Sequence, residues 1–114
     1  MAKVDRNSKS VPAAVESILL QLGRNIHIAR LRRKMRLVDL AERVGVSRYL
    51  ISDLEKGKPT IAIATYISVL WVLGLSEDMR LIGDPDNDTE GKALESIRAP
   101  KTAAKRKKVL DNDF

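Results

Sequence analysis

The side chains best suited to chemistry lie between positions 47 and 53, where five of the seven residues carry a charged group or a hydroxyl group. Arg48 can donate two hydrogen bonds to guanine O6 and N7. Tyr49 can pack on a thymine methyl group or donate its hydroxyl to a phosphate. Asp53 can accept from a cytosine amino group or form an ion pair with a neighbouring arginine, which is the more ordinary role. With Ser47 and Ser52, these residues would line the outer N-terminal face of one helix, so the pattern predicts contacts with base edges in a DNA major groove.

The positive charge of the chain is concentrated around the same residues. Residues 24–58 hold ten Lys and Arg against four Asp and Glu, a surplus that equals the net charge of the whole chain, +6. A basic folded segment favours a polyanion, with nucleic acid ahead of membrane, although a solvated face is the alternative interpretation. We expect Lys56, Lys58 and Thr60 to contact phosphates, which position a protein on DNA without specifying its sequence.

Composition argues against a secreted or membrane-spanning protein. The 114 residues contain no Cys, which excludes disulfides and thiolate metal sites and fits a reducing cytoplasm. The most apolar window, residues 61–75, is shorter than the ~20 residues that span a bilayer. Residues 1–10 have no apolar segment typical of a secretory signal. We therefore predict a cytoplasmic protein.

No residue pattern in the chain predicts catalysis or metal binding. His27 is the only His, and no nucleophile–base pair or phosphate-binding loop is recognisable. Asp84, Asp86 and Asp88 alternate somewhat as in a calcium loop, but the Gly and closing Glu of such a loop are out of place. We expect no enzyme activity, no cofactor and no bound metal.

The elements that position these side chains are predicted to be helices throughout. Apolar periodicity and end signals predict helices over residues 17–34, 37–44, 48–56, 61–73 and 76–82. The predicted organisation is a flexible arm over 1–16, a DNA-binding and dimerisation domain over 17–83, and an acidic-then-basic tail over 84–114. Residues 89–97 could form a weak helix, but we expect the tail to be largely disordered without a partner.

The segment from Leu37 to Gly57 has the spacing of a helix-turn-helix. Ala41 is small enough for two helices to cross closely, and Gly45 can adopt the left-handed conformation that ends the first of them. Ser47 suits the N-cap of the second helix. Ile51 and Leu54 would hold that helix on the first, which leaves its outer face free to enter a major groove.

The predicted helix over residues 61–73 is apolar almost all the way round. A single small core cannot cover such a surface, so we expect a second copy of the chain to cover part of it. The residues predicted at this homodimer interface are Ile67, Leu70 and Trp71. Ordinary core packing of Trp71 is the alternative.

The motif over residues 37–57 resembles the Cro and cI repressor-like helix-turn-helix family, also called the XRE family, and the resemblance extends over about residues 22–83. It implies a five-helix, lambda-repressor-like domain that binds double-stranded DNA at a palindromic operator. It also implies a structural ion pair between Arg30 and Glu55. The family's Gln that contacts phosphate is replaced by Leu37 here, so Arg36 is the candidate for that contact.

Residues beyond the motif resemble HipB-type antitoxins, over 69–75 and again over 84–95. That resemblance implies a repressor that binds a HipA-type serine/threonine kinase toxin and regulates their shared operon. A stand-alone, phage-like repressor without a toxin is the alternative. A third possibility is an interaction module that no longer binds DNA, which only Leu37 and Asp53 favour.

Overall fold

The computed structural model describes residues 11–98, and this part of the chain is all-α, as the sequence predicts. It forms two units, residues 11–79 and residues 80–98. The α-helices are α1 (Ala13–Arg32), α2 (Leu37–Val44), α3 (Arg48–Glu55), α4 (Ile63–Leu73) and α5 (Thr89–Arg98). The fifth predicted helix is present as a 3₁₀ helix, Ser76–Leu81, and a second 3₁₀ helix covers Pro85–Asn87. No described helix is long and apolar enough to cross a membrane.

Helix α1 begins four residues before the predicted start at position 17, inside the segment expected to be an arm. The carbonyl of Pro12 accepts a hydrogen bond from Glu16 N–H at 3.0 Å, which closes the first turn. Proline suits this position because it has no N–H to leave unsatisfied. The helix ends at Arg32, and Lys34 follows with a φ of 55°. The predicted range, 17–34, therefore begins and ends later in the sequence than the helix does.

The turn between α2 and α3 has the features that the sequence predicts. Gly45 adopts a φ of 87° and donates to the carbonyl of Ala41 at 2.8 Å, and the N–H of Val46 donates to the same carbonyl. Ser47 caps α3, because its hydroxyl accepts a hydrogen bond from Leu50 N–H at 3.1 Å. These two contacts fix the direction in which α3 leaves α2.

The core is aliphatic and receives side chains from all four α-helices of the first unit. Its fully buried members are Ile26, Leu40, Ile51, Leu54 and Val69. Burying each such side chain contributes about 1.5–3 kcal/mol. Tyr66 is also buried, and its hydroxyl donates to the carbonyl of Lys58 at 3.3 Å, which attaches the loop after α3 to α4.

Helix α1 approaches the end of α3 so closely that backbone meets backbone. A Cβ atom on Gly23 would lie 2.5 Å from the carbonyl oxygen of Glu55 and 2.7 Å from that of Leu54. A Cβ atom on Gly57, whose φ is 75°, would lie 2.7 Å from the carbonyl oxygen of Leu19. The sequence identifies Gly57 as a helix end but gives no sign that Gly23 is a crossing point.

The second unit contains local hydrogen bonds but none of its described residues is buried. The Asp84 side chain accepts from Asp86 N–H at 3.0 Å, and Asp88 accepts from Gly91 N–H at 2.9 Å at the start of α5. Helix α5 covers the segment for which the sequence predicts a weak helix and extends it by one residue. Residues 99–114 of the predicted tail lie outside the described residues.

Candidate nucleic-acid interface

The N-terminal end of α3 presents the predicted base-contacting residues to solvent. Ser47 and Arg48 are exposed, and the Tyr49 side chain is 68% exposed. Arg48 Nη2 donates to the Tyr49 hydroxyl at 3.3 Å, and its guanidinium carbon lies 5.1 Å from the centre of the Tyr49 ring. The two side chains therefore form one surface feature, a cation held against an aromatic ring.

An open groove of about 630 Å³ lies between the N-terminal ends of α2 and α3. Its lining residues are Arg30, Arg36, Leu37, Val38, Arg48, Tyr49 and Ser52. Three of these residues are arginines and none is acidic, although two of the arginines, Arg30 and Arg36, are each paired with a carboxylate that is not among the lining residues. Ser52 is half-buried at its wall, and Leu37, which replaces the family's Gln, is half-buried beside it.

The C-terminal end of α3 is closed by an ion pair between Arg30 and Glu55. Arg30 Nε donates to Glu55 Oε2 at 2.7 Å and Nη2 donates to Oε1 at 3.0 Å, and both side chains are only 7% exposed. Arg30 Nη1 also donates to the carbonyl of Met35 at 2.9 Å. The structure therefore brings together the two residues for which the resemblance implies a structural pair.

His27 is a third member of this cluster, and the sequence did not identify it. Its Nδ1 lies 2.7 Å from Glu55 Oε1. Burial alone would raise the pKa of Glu55, but hydrogen bonds from Arg30 and His27 outweigh burial and lower it. The only available signal was spacing, since His27 and Arg30 are three residues apart and share a face of α1. The cluster is structural in character, because the Glu55 carboxylate is buried against Arg30 and its oxygens are taken up by contacts with Arg30 and His27.

Arg36, the predicted substitute for the missing phosphate-binding Gln, is already bound to a carboxylate. Its Nη2 lies 3.0 Å from Asp39 Oδ1, its Nε donates to Oδ2 at 3.1 Å, and its backbone N–H donates to Oδ2 at 2.8 Å. These hydrogen bonds lower the pKa of Asp39 and raise that of Arg36. The Asp39 carboxylate thus takes up the Arg36 donors at the start of α2.

Asp53 is also paired, with a lysine instead of the arginine that the sequence suggested. Its Oδ1 lies 3.2 Å from Lys58 Nζ, and both side chains are partly exposed. The other predicted phosphate contacts are also exposed: Lys56 lies at the C-terminal end of α3 and Thr60 lies in the loop that follows it. Among residues 11–98 no group of three or more His, Asp or Glu could hold a metal ion.

The predicted dimer residues divide between the core and the surface of α4. Trp71 is 71% exposed and Ile67 is 39% exposed, and Ile63 continues the same stripe at four-residue spacing. Leu70 is only 7% exposed and packs in the core of the first unit, about 100° around the helix axis from Trp71. Its side chain is therefore not available to a second copy, whereas Ile63, which the sequence did not single out, is.

Comparison with known proteins agrees with this geometry. The model of a family described as "Helix-turn-helix domain" matches residues 21–81, which include α2, α3 and the groove between them. An uncharacterised HTH-type transcriptional regulator of Sinorhizobium fredii is 38% identical over 63 residues, which cover 55% of this chain and 83% of that protein.

Proposed function

Because the chain belongs to the XRE-like helix-turn-helix family of DNA-binding transcriptional regulators, we propose that it is a sequence-specific repressor that inserts the N-terminal end of α3 into the major groove. One observation carries the proposal. Arg48 and Tyr49 stand exposed beside a groove lined with arginines, while the other end of the same helix is enclosed by α1. A helix with one fixed end and one free polar end has the arrangement that base recognition requires.

The proposed role of each residue in DNA binding follows from the exposure of its side chain. Arg48 donates to guanine, and Tyr49 contacts a thymine methyl group or a phosphate. Ser47, Ser52 and Asp53 supply further contacts to base edges. The phosphate contacts are assigned to Arg36, Lys56, Lys58 and Thr60, which surround the same face and fix the register on the duplex.

The repressor role is tested on the DNA that precedes the protein's own gene, where an autoregulator would bind. A reporter driven by this DNA is expected to fall in activity when the wild-type protein is expressed and to recover with Arg48→Ala. A reporter that rises, or one that is repressed equally by both proteins, would contradict the proposal. Equal expression and equal melting temperature of the two proteins serve as the control.

We also propose that two copies associate through the exposed stripe on α4, formed by Ile63, Ile67 and Trp71. A water-exposed indole next to isoleucine is a favourable surface for a homodimer, since aromatic side chains are enriched at such interfaces. A two-fold dimer would bind a palindromic operator with half-sites about 34–36 Å apart.

Sedimentation equilibrium tests the dimer with a matched pair of variants. Trp71→Glu is expected to be monomeric and to bind DNA more weakly. Leu31→Glu places the same charge on another exposed apolar residue, on α1, and is expected to remain dimeric. A monomeric wild-type protein, or dissociation by both variants, would refute this interface.

The more specific role, that of a HipB-type antitoxin acting with a HipA-type kinase, is proposed from the sequence resemblance over residues 69–75 and 84–95. Its support beyond sequence is limited to α5, where Leu94 and Ile97 are exposed and available to a partner. Tagged protein isolated from its source cells should recover a HipA-like kinase at near-equal stoichiometry. Recovery of DNA and the protein alone would favour a stand-alone repressor.

A further inference from the structure

We propose that Asp39 and Asp53 limit the protein's affinity for DNA of arbitrary sequence, by competing with backbone phosphates for Arg36 and Lys58. The inference rests on the proposed DNA-binding face but goes beyond it. It gives two acidic residues on that face a role in addition to the base contact proposed for Asp53 and the helix cap that Asp39 forms.

The first competitor, Asp39, holds Arg36 with three hydrogen bonds. Two come from the guanidinium, at 3.0 and 3.1 Å, and one comes from the backbone N–H, at 2.8 Å. A phosphate bound at the start of α2 would use the same donors. The Arg36 side chain is 79% exposed, so a phosphate can reach its guanidinium, but the Nε and Nη2 donors that face Asp39 become available only when the carboxylate moves away.

The second competitor, Asp53, lies on α3 one helical turn after Tyr49. Its carboxylate is 3.2 Å from the ammonium group of Lys58, in the loop that follows the helix. Lys56 provides an internal contrast, because it is exposed on the same loop and no carboxylate is found within ion-pair distance of it among the described residues. Two of the three basic residues assigned to phosphates are therefore paired before DNA arrives.

The effect of the two pairs falls most heavily on sequence-independent binding. Phosphate contacts supply essentially all the affinity for random DNA, whereas base contacts add to the affinity for an operator. The carboxylate and a phosphate compete for each cation, and the carboxylate of either pair then lies close to the anionic backbone. Because exposed ion pairs are weak, we expect removal of one competitor to raise affinity by about two- to fivefold.

The test uses the full chain and a random-sequence duplex, so that no operator has to be known. Asp39→Asn removes the charge while its side-chain oxygen can still accept from Arg36 N–H, which preserves the helix cap. Asp78→Asn makes the same change of net charge at an exposed position in the 3₁₀ helix Ser76–Leu81. We expect Asp39→Asn to bind the duplex about two- to fivefold more tightly than Asp78→Asn, with Asp53→Asn showing a similar gain.

A double-mutant cycle shows whether Asp39 acts through Arg36. In an Arg36→Ala background, Asp39→Asn is expected to give a smaller gain over Asp78→Asn, because only the repulsion between the carboxylate and the DNA backbone remains to be removed. An equal gain in both backgrounds, or equal affinities of Asp39→Asn and Asp78→Asn, would overturn the inference while leaving DNA binding intact. If the wild-type protein binds no duplex, the proposed function and this inference both fail. The preceding outcomes, in which the wild-type protein does bind, overturn the inference alone.

Discussion

The two ends of α3 differ in how far neighbouring side chains and helices enclose them. At the C-terminal end, Glu55 is enclosed by Arg30 and His27, and α1 lies against the backbone at Gly23. At the N-terminal end, Arg48 and Tyr49 are exposed and their side chains lie against each other. A short helix that must present side chains accurately needs one fixed end, and the difference shows that this end is fixed by α1.

The ion pair at the C-terminal end of α3 and the ion pair at the start of α2 have different physical consequences. The Arg30–Glu55 pair is buried, so removal of Arg30 would leave a buried carboxylate with the His27 ring but without its arginine. The Arg36–Asp39 pair is exposed, so water and salt can replace either partner at little cost. The buried pair maintains the fold, and the exposed pair can be exchanged for a ligand.

The largest effect is expected from Arg30→Ala. The change leaves the Glu55 carboxylate buried and removes the donor to the Met35 carbonyl. We expect the free energy of unfolding to fall by about 3–5 kcal/mol, measured by denaturant titration. Arg32→Ala, an exposed position on the same helix, should change it little. Similar losses in both variants would mean that the C-terminal end of α3 is not specially fixed.

The next effect is expected from Gly23→Ala. Alanine normally stabilises a helix relative to glycine by about 0.5–1 kcal/mol. Here the added methyl group would lie 2.5 Å from the Glu55 carbonyl oxygen and separate the helices. We expect a net loss of about 1–3 kcal/mol in thermal unfolding.

Gly45→Ala makes a useful contrast, because no atom lies within 4 Å of its added Cβ and only its φ of 87° is unfavourable. Its cost should be about 1–2 kcal/mol and should leave the α1–α3 contact intact. A Gly23→Ala protein that is more stable than wild type would show that the close crossing does not occur.

A smaller effect is expected from pH. The folded pKa of Glu55 lies below its ordinary value of 4.5, so its contribution to stability is present above that pH and is lost as pH falls through the folded pKa. Glu55→Gln, although less stable at neutral pH, should lose less stability than wild type as pH falls below 4.5. Parallel pH profiles would rule out this role for Glu55.

The smallest effect is expected from Lys56→Ala at the exposed side of α3. Removal of one phosphate contact should weaken binding to all duplexes alike and reduce the slope of log affinity against log salt by about 0.9. Unfolding should be unchanged. Lys92→Ala, on exposed α5, serves as the control and should retain the wild-type slope. An unaltered slope for Lys56→Ala would remove it from the set of phosphate contacts.

Local signals explain how much of the fold the sequence could predict. Gly45 and Ser47 determine the turn between α2 and α3 through their own conformations and nearest neighbours, so the pattern predicts α2 correctly to the residue. The start of α1 was missed because Pro12 looks like a break, whereas it precedes a first turn that closes normally.

Features that depend on how helices cross could not be predicted in the same way. Gly23 has no unusual conformation, and its importance comes from Glu55, which is distant in sequence. His27 joins Glu55 for the same reason. Leu70 and Trp71 are adjacent on a helix that is apolar all round, so only the packed structure separates the core residue from the exposed one.

The central claim, that the free end of α3 recognises bases, is tested most directly by selecting bound sites from a pool of randomised duplexes with wild type and Arg48→Ala. We predict that wild type enriches an inverted repeat with half-site centres about 10–10.5 base pairs apart and a guanine in each half. Arg48→Ala, equally stable, should lose the preference for that guanine at a cost of about 1–3 kcal/mol. Enrichment of the same motif by both proteins, with the guanine retained, would contradict the account.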